Sequence, residues 1–114
     1  PPGKPKDRRV EHRVAGADSN PYLVVAAVLA GAHHGIRRQI DPGPPIQGSA
    51  YDKIEPTLTS SWIVALEQLD GSAFFNEYFG RRFLDVYLAL KWAERDKFFS
   101  QISQLEYDWY LSKV

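Results

Sequence analysis

Arg9-Val10-Glu11-His12-Arg13-Val14-Ala15-Gly16-Ala17-Asp18-Ser19-Asn20-Pro21-Tyr22-Leu23 is the stretch on which the reading of this chain turns. Its first six residues alternate with period two, which sets Arg9, Glu11 and Arg13 on one face of a strand and Val10, His12 and Val14 on the other. Ala15 to Ser19 reads as a turn. Asn20 then supplies a side-chain acceptor at an N-cap and Pro21 the missing N–H of a first helical position, so a helix starts there. Three charged residues facing one way on a strand ordinarily make a charge ladder against solvent. On the wall of a cleft they converge on a ligand instead: Glu11 would offer a hard oxygen to Mg²⁺ or Mn²⁺, and the two guanidiniums would neutralise anionic oxygens. One carboxylate cannot hold a metal alone.

Working outward, Tyr22 to about Ile40 is dense in apolar residues, with small Ala26, Ala27, Ala30, Gly31 and Ala32 permitting close backbone approach. This predicts a mostly buried helix, and a chain this short has little to bury it against, so missing partners are expected. Asp41-Pro42-Gly43-Pro44-Pro45 ends the helix and opens a loop through Pro56 with Tyr51-Asp52 at its centre. A helix over about Ser60–Leu69, capped by Thr59 or Ser60, presents Trp62, Ala65, Leu66 and Leu69, and stops at Asp70-Gly71. Ser72 caps another that reaches Phe79 and ends at Gly80. From Arg81 the longest amphipathic helix shows an apolar face of Phe83, Val86, Tyr87, Leu90 and Trp92/Ala93. Ser103-Gln104-Leu105-Glu106 is a capping box, with Ile102 and Tyr107 at the positions of a hydrophobic staple, and a final aromatic helix continues toward Val114. The expected class is α+β: one strand followed by about five helices.

The formal net charge of zero conceals an asymmetry, because residues 1 to 40 carry seven Lys or Arg against three acids and residues 41 to 114 seven against eleven. Lys4, Lys6, Arg8, Arg9 and Arg13 all precede residue 14, a concentration that suits an anionic ligand or simply a solvated basic end. Nucleic acid is not an expected partner, since the acidic remainder would repel a phosphate backbone. With no cysteine there is neither a disulfide framework nor a thiolate zinc site. The apolar run near Leu23 to Ala32 is too short for a membrane span and the first residues are too polar for a signal peptide, so no membrane partner and a cytoplasmic location are expected. His33 and His34 point about 100° apart on a helix and cannot chelate one ion as a pair. The opening Pro1-Pro2-Gly3-Lys4-Pro5 and the lack of any methionine predict a piece cut from mid-chain.

The run from Arg9 to Leu23 resembles the C-terminal signature of the glutamine synthetase superfamily: an Arg-x-Glu-x-Arg strand, a Gly/Ala/Asp turn, Asn-Pro-Tyr-Leu, and an Ala-rich helix ending near a glycine, here Gly35. Gly48-Ser49-Ala50-Tyr51, Leu66-Glu67-Gln68-Leu69 and Glu106-Tyr107-Asp108-Trp109-Tyr110-Leu111 extend the resemblance along the chain. It implies the C-terminal part of a catalytic domain, with residues 1–20 as active-site strand and turn and 21–114 as a helical portion. The activity implied is ATP-driven joining of ammonia or an amine to the γ-carboxylate of glutamate through a γ-glutamyl phosphate. Glu11 would ligate the active-site metal, Arg13 would hold the substrate carboxylate as a catalytic and substrate-binding group, and Arg9 and Lys6 would contact ATP. Implied partners are the rest of the parent chain and further copies in stacked rings, reached through the aromatic C-terminal helix. Tyr51 aligns with a loop tyrosine that some bacterial relatives adenylylate, but its neighbours depart from that pattern. His12, the Val14-to-Asp18 turn and His33-His34 look more like the γ-glutamylpolyamine (including γ-glutamylputrescine) synthetase branch. A stand-alone helical interaction module and a catalytically inactive relative are the alternatives, and intact Arg9, Glu11 and Arg13 argue against the second.

Overall fold

The computed structural model describes residues 4–7, 9–55 and 57–113, without the side chains of Asp7 and Ser112. Arg8 of the basic cluster, Pro56 of the loop and Val114 of the last helix lie outside the described residues. Five α-helices follow one another: α1 (Pro21–Arg38), α2 (Trp62–Asp70), α3 (Ala73–Phe79), α4 (Arg81–Phe99) and α5 (Gln104–Tyr110), with single 3-10 turns at Pro5–Asp7, Ala50–Asp52 and Leu111–Lys113. The chain divides into two compact units, Pro1–Ser49 and Ala50–Val114, described separately below.

No strand forms among the described residues, and residues 9–13 carry no regular secondary structure. The α+β expectation is therefore corrected to an all-helical class. The cause lies in what each element needs: a helix satisfies its hydrogen bonds within one segment, whereas a strand needs a neighbour to pair with. Alternation of side chains supplies only half of that requirement.

In the first unit, Asn20 Oδ1 accepts from the backbone N–H groups of Tyr22 at 3.0 Å and Leu23 at 3.3 Å, which starts α1 where the Asn-Pro pair predicts. The helix runs past Gly35 and ends at Gln39, which takes a left-handed conformation (φ 52°, ψ 43°) and donates its N–H back toward Gly35 and Ile36. Ile40 N–H reaches the Gly35 carbonyl at 3.0 Å, so the last carbonyls are satisfied two residues before the proline-rich loop could stop the helix. Burial departs from expectation: only Ala30 of α1 is fully buried, while Tyr22, Val25, Leu29 and Ile36 stand exposed. At about 100° per residue these four share one face.

The second unit is organised by α4. Ser61, one residue later than expected, caps α2 by accepting from Val64 N–H at 3.4 Å, while Thr59 Oγ1 accepts from Ser61 N–H. Ser72 caps α3 through Phe75 N–H at 3.2 Å. Leu66 of α2 meets Leu84 and Leu88 of α4, with Leu69, Phe75, Phe79 and Trp92 packed around them. Leu84 is the most enclosed, at 1% exposure. The buried stripe of α4 is thus Leu84–Leu88–Trp92, and the expected face of Phe83, Val86 and Leu90 remains exposed. Both stripes have helical spacing; the neighbours α2 and α3 chose between them.

Contacts at both ends make α2 and α4 run in opposite senses. Near the start of α4, Arg81 donates from Nη2 to Asp70 Oδ1 at 2.6 Å, from Nη1 to the Asp70 carbonyl at 3.2 Å, and from Nε to Asp85 Oδ1 at 2.7 Å. These carboxylates, Asp70 first and then Asp85, hold the guanidinium still more firmly in its charged form. At the other end Trp62 packs its ring against Phe98 and Phe99, with centroids 6.0 and 6.4 Å apart, and the Arg95 guanidinium lies 5.2 Å from the Phe99 ring. A single residue, Gly80, joins α3 to α4 at φ 79°, ψ 145°, a region nearly closed to side-chain-bearing residues. The capping box at α5 is complete: Ser103 Oγ accepts from Glu106 N–H at 3.2 Å and Glu106 Oε2 accepts from Ser103 N–H at 2.7 Å. Ile102 and Tyr107, expected as a staple, are both exposed.

Leu84→Ala should lower the unfolding free energy of the second unit by about 2–5 kcal/mol, and Gly80→Ala by about 1–3 kcal/mol, both read from urea denaturation followed by circular dichroism. The second loss comes from conformation alone, since a Cβ at Gly80 meets nothing within 4 Å. Glu106 gives a pH test. Its carboxylate accepts from the backbone and then the hydroxyl of Ser103, which lowers its pKa below that of an ordinary glutamate. A depressed folded pKa means the cap is present above the unfolded value and is lost as pH falls through the folded one. The Glu106 side-chain carbon shift should therefore titrate below the usual glutamate midpoint, with α5 fraying over the same acidic window; a midpoint at or above the ordinary value would refute the cap's effect.

Candidate active-site segment

The residues singled out in sequence lie on a short exposed segment before α1. Lys6 sits in the Pro5–Asp7 turn, and Arg9, Glu11 and Arg13 follow on irregular backbone, all exposed. Arg13 donates from Nε to Glu11 Oε1 at 2.8 Å, with Nη2 2.5 Å from the same oxygen. The predicted i, i+2 relation therefore holds for this pair even without a strand: two side chains of alternate residues stand on one side of the chain and meet. The turn that follows closes with Ser19 N–H donating to the Gly16 carbonyl at 3.1 Å. A Cβ on Gly16 would lie 2.6 Å from Asp18 Oδ1, so this turn holds a glycine because the aspartate folds over it. Asn20 then passes the chain into α1, which anchors the segment at its downstream end.

Chemically, the pair brings a carboxylate and a guanidinium to one solvent-facing spot, with side-chain exposures of 57% for Glu11 and 81% for Arg13. An ion pair so exposed contributes less than about 1 kcal/mol, because water screens it and both side chains lose freedom. Each partner is thus readily exchanged for a ligand: Glu11 toward a cation, Arg13 toward an anion. Among the described residues no group of three or more His, Cys, Asp or Glu stands close enough to hold an ion. Glu11 fits as one donor in a larger set and does not make a site by itself. His33 and His34, on adjacent positions of α1, join no such group. Tyr51 is 97% exposed in its 3-10 turn. No helix among the described residues is long and apolar enough to cross a membrane.

Two polar contacts of the second unit escaped the sequence reading. Arg81–Asp85 has the i, i+4 spacing that betrays a helical ion pair, but Asp70 lies eleven residues before Arg81 and only the turn through α3 brings it there.

Because the Glu11–Arg13 pair is exposed and its backbone is irregular, Glu11→Ala and Arg13→Ala should each leave the thermal unfolding of this chain within about 0.5 kcal/mol of the parent sequence. Calorimetry on the two variants checks this, and a larger loss would assign the pair a structural role.

The family model described as "Glutamine synthetase, catalytic domain" matches residues 1–110. The gamma-glutamylputrescine synthetase of Escherichia coli strain K12 is 35% identical over 114 residues, covering 100% of this chain and 24% of that protein. The glutamine synthetase of Azotobacter vinelandii is 39% identical over 117 residues, covering 95% of this chain and 25% of its own length. A glutamate–isopropylamine ligase of a Pseudomonas species is 39% identical over 87 residues, covering 73% of this chain and 19% of that enzyme. No solved structure matches. The chain spans about a quarter of the length of the first two relatives. With nearly every residue matched, and with the Arg-x-Glu-x-Arg segment and its Asn-Pro helix start both in place, this chain belongs to the glutamine synthetase catalytic-domain family.

Proposed function

We propose that this chain is the C-terminal part of the catalytic domain of an ATP-driven ligase that joins ammonia or an amine to the γ-carboxylate of glutamate. The observation that carries this reading is the catalytic-domain match across residues 1–110, which includes the exposed segment bearing Arg9 and the Glu11–Arg13 pair. In the reaction, a γ-carboxylate oxygen of glutamate attacks the γ-phosphorus of ATP and ADP leaves, giving γ-glutamyl phosphate. The amine nitrogen then attacks the acyl carbon, phosphate leaves, and the nitrogen gives up a proton.

Each residue of the segment has a part suited to its chemistry. Arg13 holds the glutamate carboxylate that becomes the acyl phosphate, as a planar fork of donors does for two carboxylate oxygens. Arg9 binds ATP phosphate oxygens, and Lys6 approaches the nucleotide. Glu11 supplies one hard oxygen to Mg²⁺ or Mn²⁺, with the remaining donors coming from the rest of the parent chain. Such an ion, when bound, offsets the charge that develops on the transferring phosphoryl group. The exposed Glu11–Arg13 pair suits this arrangement, because binding the cation and the carboxylate together replaces one weak contact by two stronger ones.

Surface area supports the reading of the chain as a part. A folded monomer of 13.0 kDa is expected to expose about 6,300 Å², or about 7,600 Å² if divided into two separate bodies. This chain exposes 10316 Å². The excess exceeds about 2,000 Å², the scale of a large protein–protein interface. Exposed Trp109, Tyr110 and Leu111 near the C-terminus suit contact with another subunit of a ring-stacked oligomer. The acceptor we favour is a polyamine, on the likeness of His12, the turn after Arg13 and His33-His34 to the polyamine-ligating branch.

The 114-residue chain alone should show no turnover of ATP with glutamate and an amine. In the full-length parent, Glu11→Ala should abolish metal-dependent ADP release and Arg13→Ala should raise the KM for glutamate. Wild-type rates in the Glu11 variant would remove that residue from the metal site. A kcat/KM for putrescine no greater than for ammonia would overturn the acceptor assignment while leaving the ligase reading intact.

A further inference from the structure

Glu11 and Arg13 hold each other by the same atoms that each would offer to a ligand. Arg13 turns the edge bearing Nε and Nη2 toward Glu11, and both nitrogens meet the single oxygen Oε1, Nε at 2.8 Å. That edge is one of the forks with which a guanidinium takes up the carboxylate of another molecule. From Arg9 to Ala17 Glu11 is the only acidic residue, so the oxygen that Arg13 engages belongs to the one carboxylate this stretch can offer a cation. The pair needs no partner element, since its members lie two residues apart on irregular backbone.

Each ligand is opposed by this contact, and neither opposes the other. A divalent cation on Glu11 cancels the charge that attracts Arg13 and sets a like charge beside the guanidinium, so the pair opens. A substrate carboxylate on the Nε and Nη2 edge of Arg13 takes the place of Oε1 and repels the Glu11 carboxylate from the same spot. Either event leaves the other side chain released. With side-chain exposures of 57% and 81%, the contact is weak enough for a ligand to displace it.

We infer that the Glu11–Arg13 pair is a latch that couples metal binding to glutamate binding: whichever ligand arrives first opens the contact for the second. This rests on the ligase reading of the two residues and adds to it an energetic link between their ligands. If the closed form outweighs the open one by a factor K, each ligand alone binds more weakly by 1 + K, and the second binds free of that penalty. The coupling is reciprocal, so the ion strengthens glutamate binding by the factor with which glutamate strengthens binding of the ion. For a pair this exposed the factor is about two to six.

Calorimetric titration of the full-length parent with glutamate, in the absence of ATP, tests the latch. In the metal-free protein Glu11→Asp, whose shorter side chain draws back from Arg13 while keeping its charge, should bind glutamate about two- to sixfold more tightly than the unaltered parent. Glu11→Ala should gain at least as much. With saturating Mg²⁺ the unaltered parent and Glu11→Asp should bind glutamate alike, because the ion has already opened the pair. Equal affinities in all three metal-free proteins would overturn the latch. So would a gain confined to Glu11→Ala, which would make the charge of the carboxylate the cause and not its contact with Arg13. Failure of the ligase reading looks different: unchanged Mg²⁺ affinity in Glu11→Ala would take Glu11 out of the metal site, and unchanged glutamate affinity in Arg13→Ala would take Arg13 out of the substrate site, and either would remove the latch as well.

Discussion

Leu84 closes the only substantial core that the described residues form. It sits where α2 and α3 both meet α4, and its neighbours Leu66, Leu69, Phe75, Phe79 and Leu88 come from all three helices. Without that contact none of these helices has a reason to adopt its position: α2 and α3 are nine and seven residues long, too short to persist alone in water. The Arg81 clamp and the Trp62–Phe99 contact act at the two ends of the same arrangement, where exposed polar and aromatic groups can direct α2 but supply little of its stability. Gly80 makes the geometry possible, because its positive φ folds α3 back beside α4 with no intervening loop.

The first unit lacks a comparable centre. Its helix α1 is well begun and well ended, with Asn20 at one terminus and Gln39 at the other, yet it leaves a stripe from Tyr22 to Ile36 uncovered. Local capping is thus sufficient to define where a helix lies along the chain and insufficient to give it a core. The segment before it follows the same logic. Glu11 and Arg13 find each other because they are two residues apart, on backbone with no regular secondary structure. The chain spans about a quarter of the length of the relatives it matches.

The apolar pattern of α4 shows where periodicity stops being informative. Phe83, Val86, Leu90 and Ala93 form as regular a stripe as Leu84, Leu88 and Trp92, and both satisfy the 3.6-residue period. Which of them is core depends on the approach of α2, a property of the assembled unit. The outer stripe stays exposed, because no element of the unit packs on that side.

What the sequence determined by itself was local or motif-borne. The Asn20-Pro21 start, the Ser72 cap, the Ser103–Glu106 capping box and the family signature around Arg9, Glu11 and Arg13 were legible because each depends on residues within a few positions of one another. The tertiary structure decided the rest. It showed α1 exposed where density of apolar residues had suggested burial, selected the inner face of α4, and joined Asp70 to Arg81 across a turn. It also left residues 9–13 without a strand, because pairing and burial are relations between segments, and alternation within one segment carries no record of whether a neighbour is there to complete them.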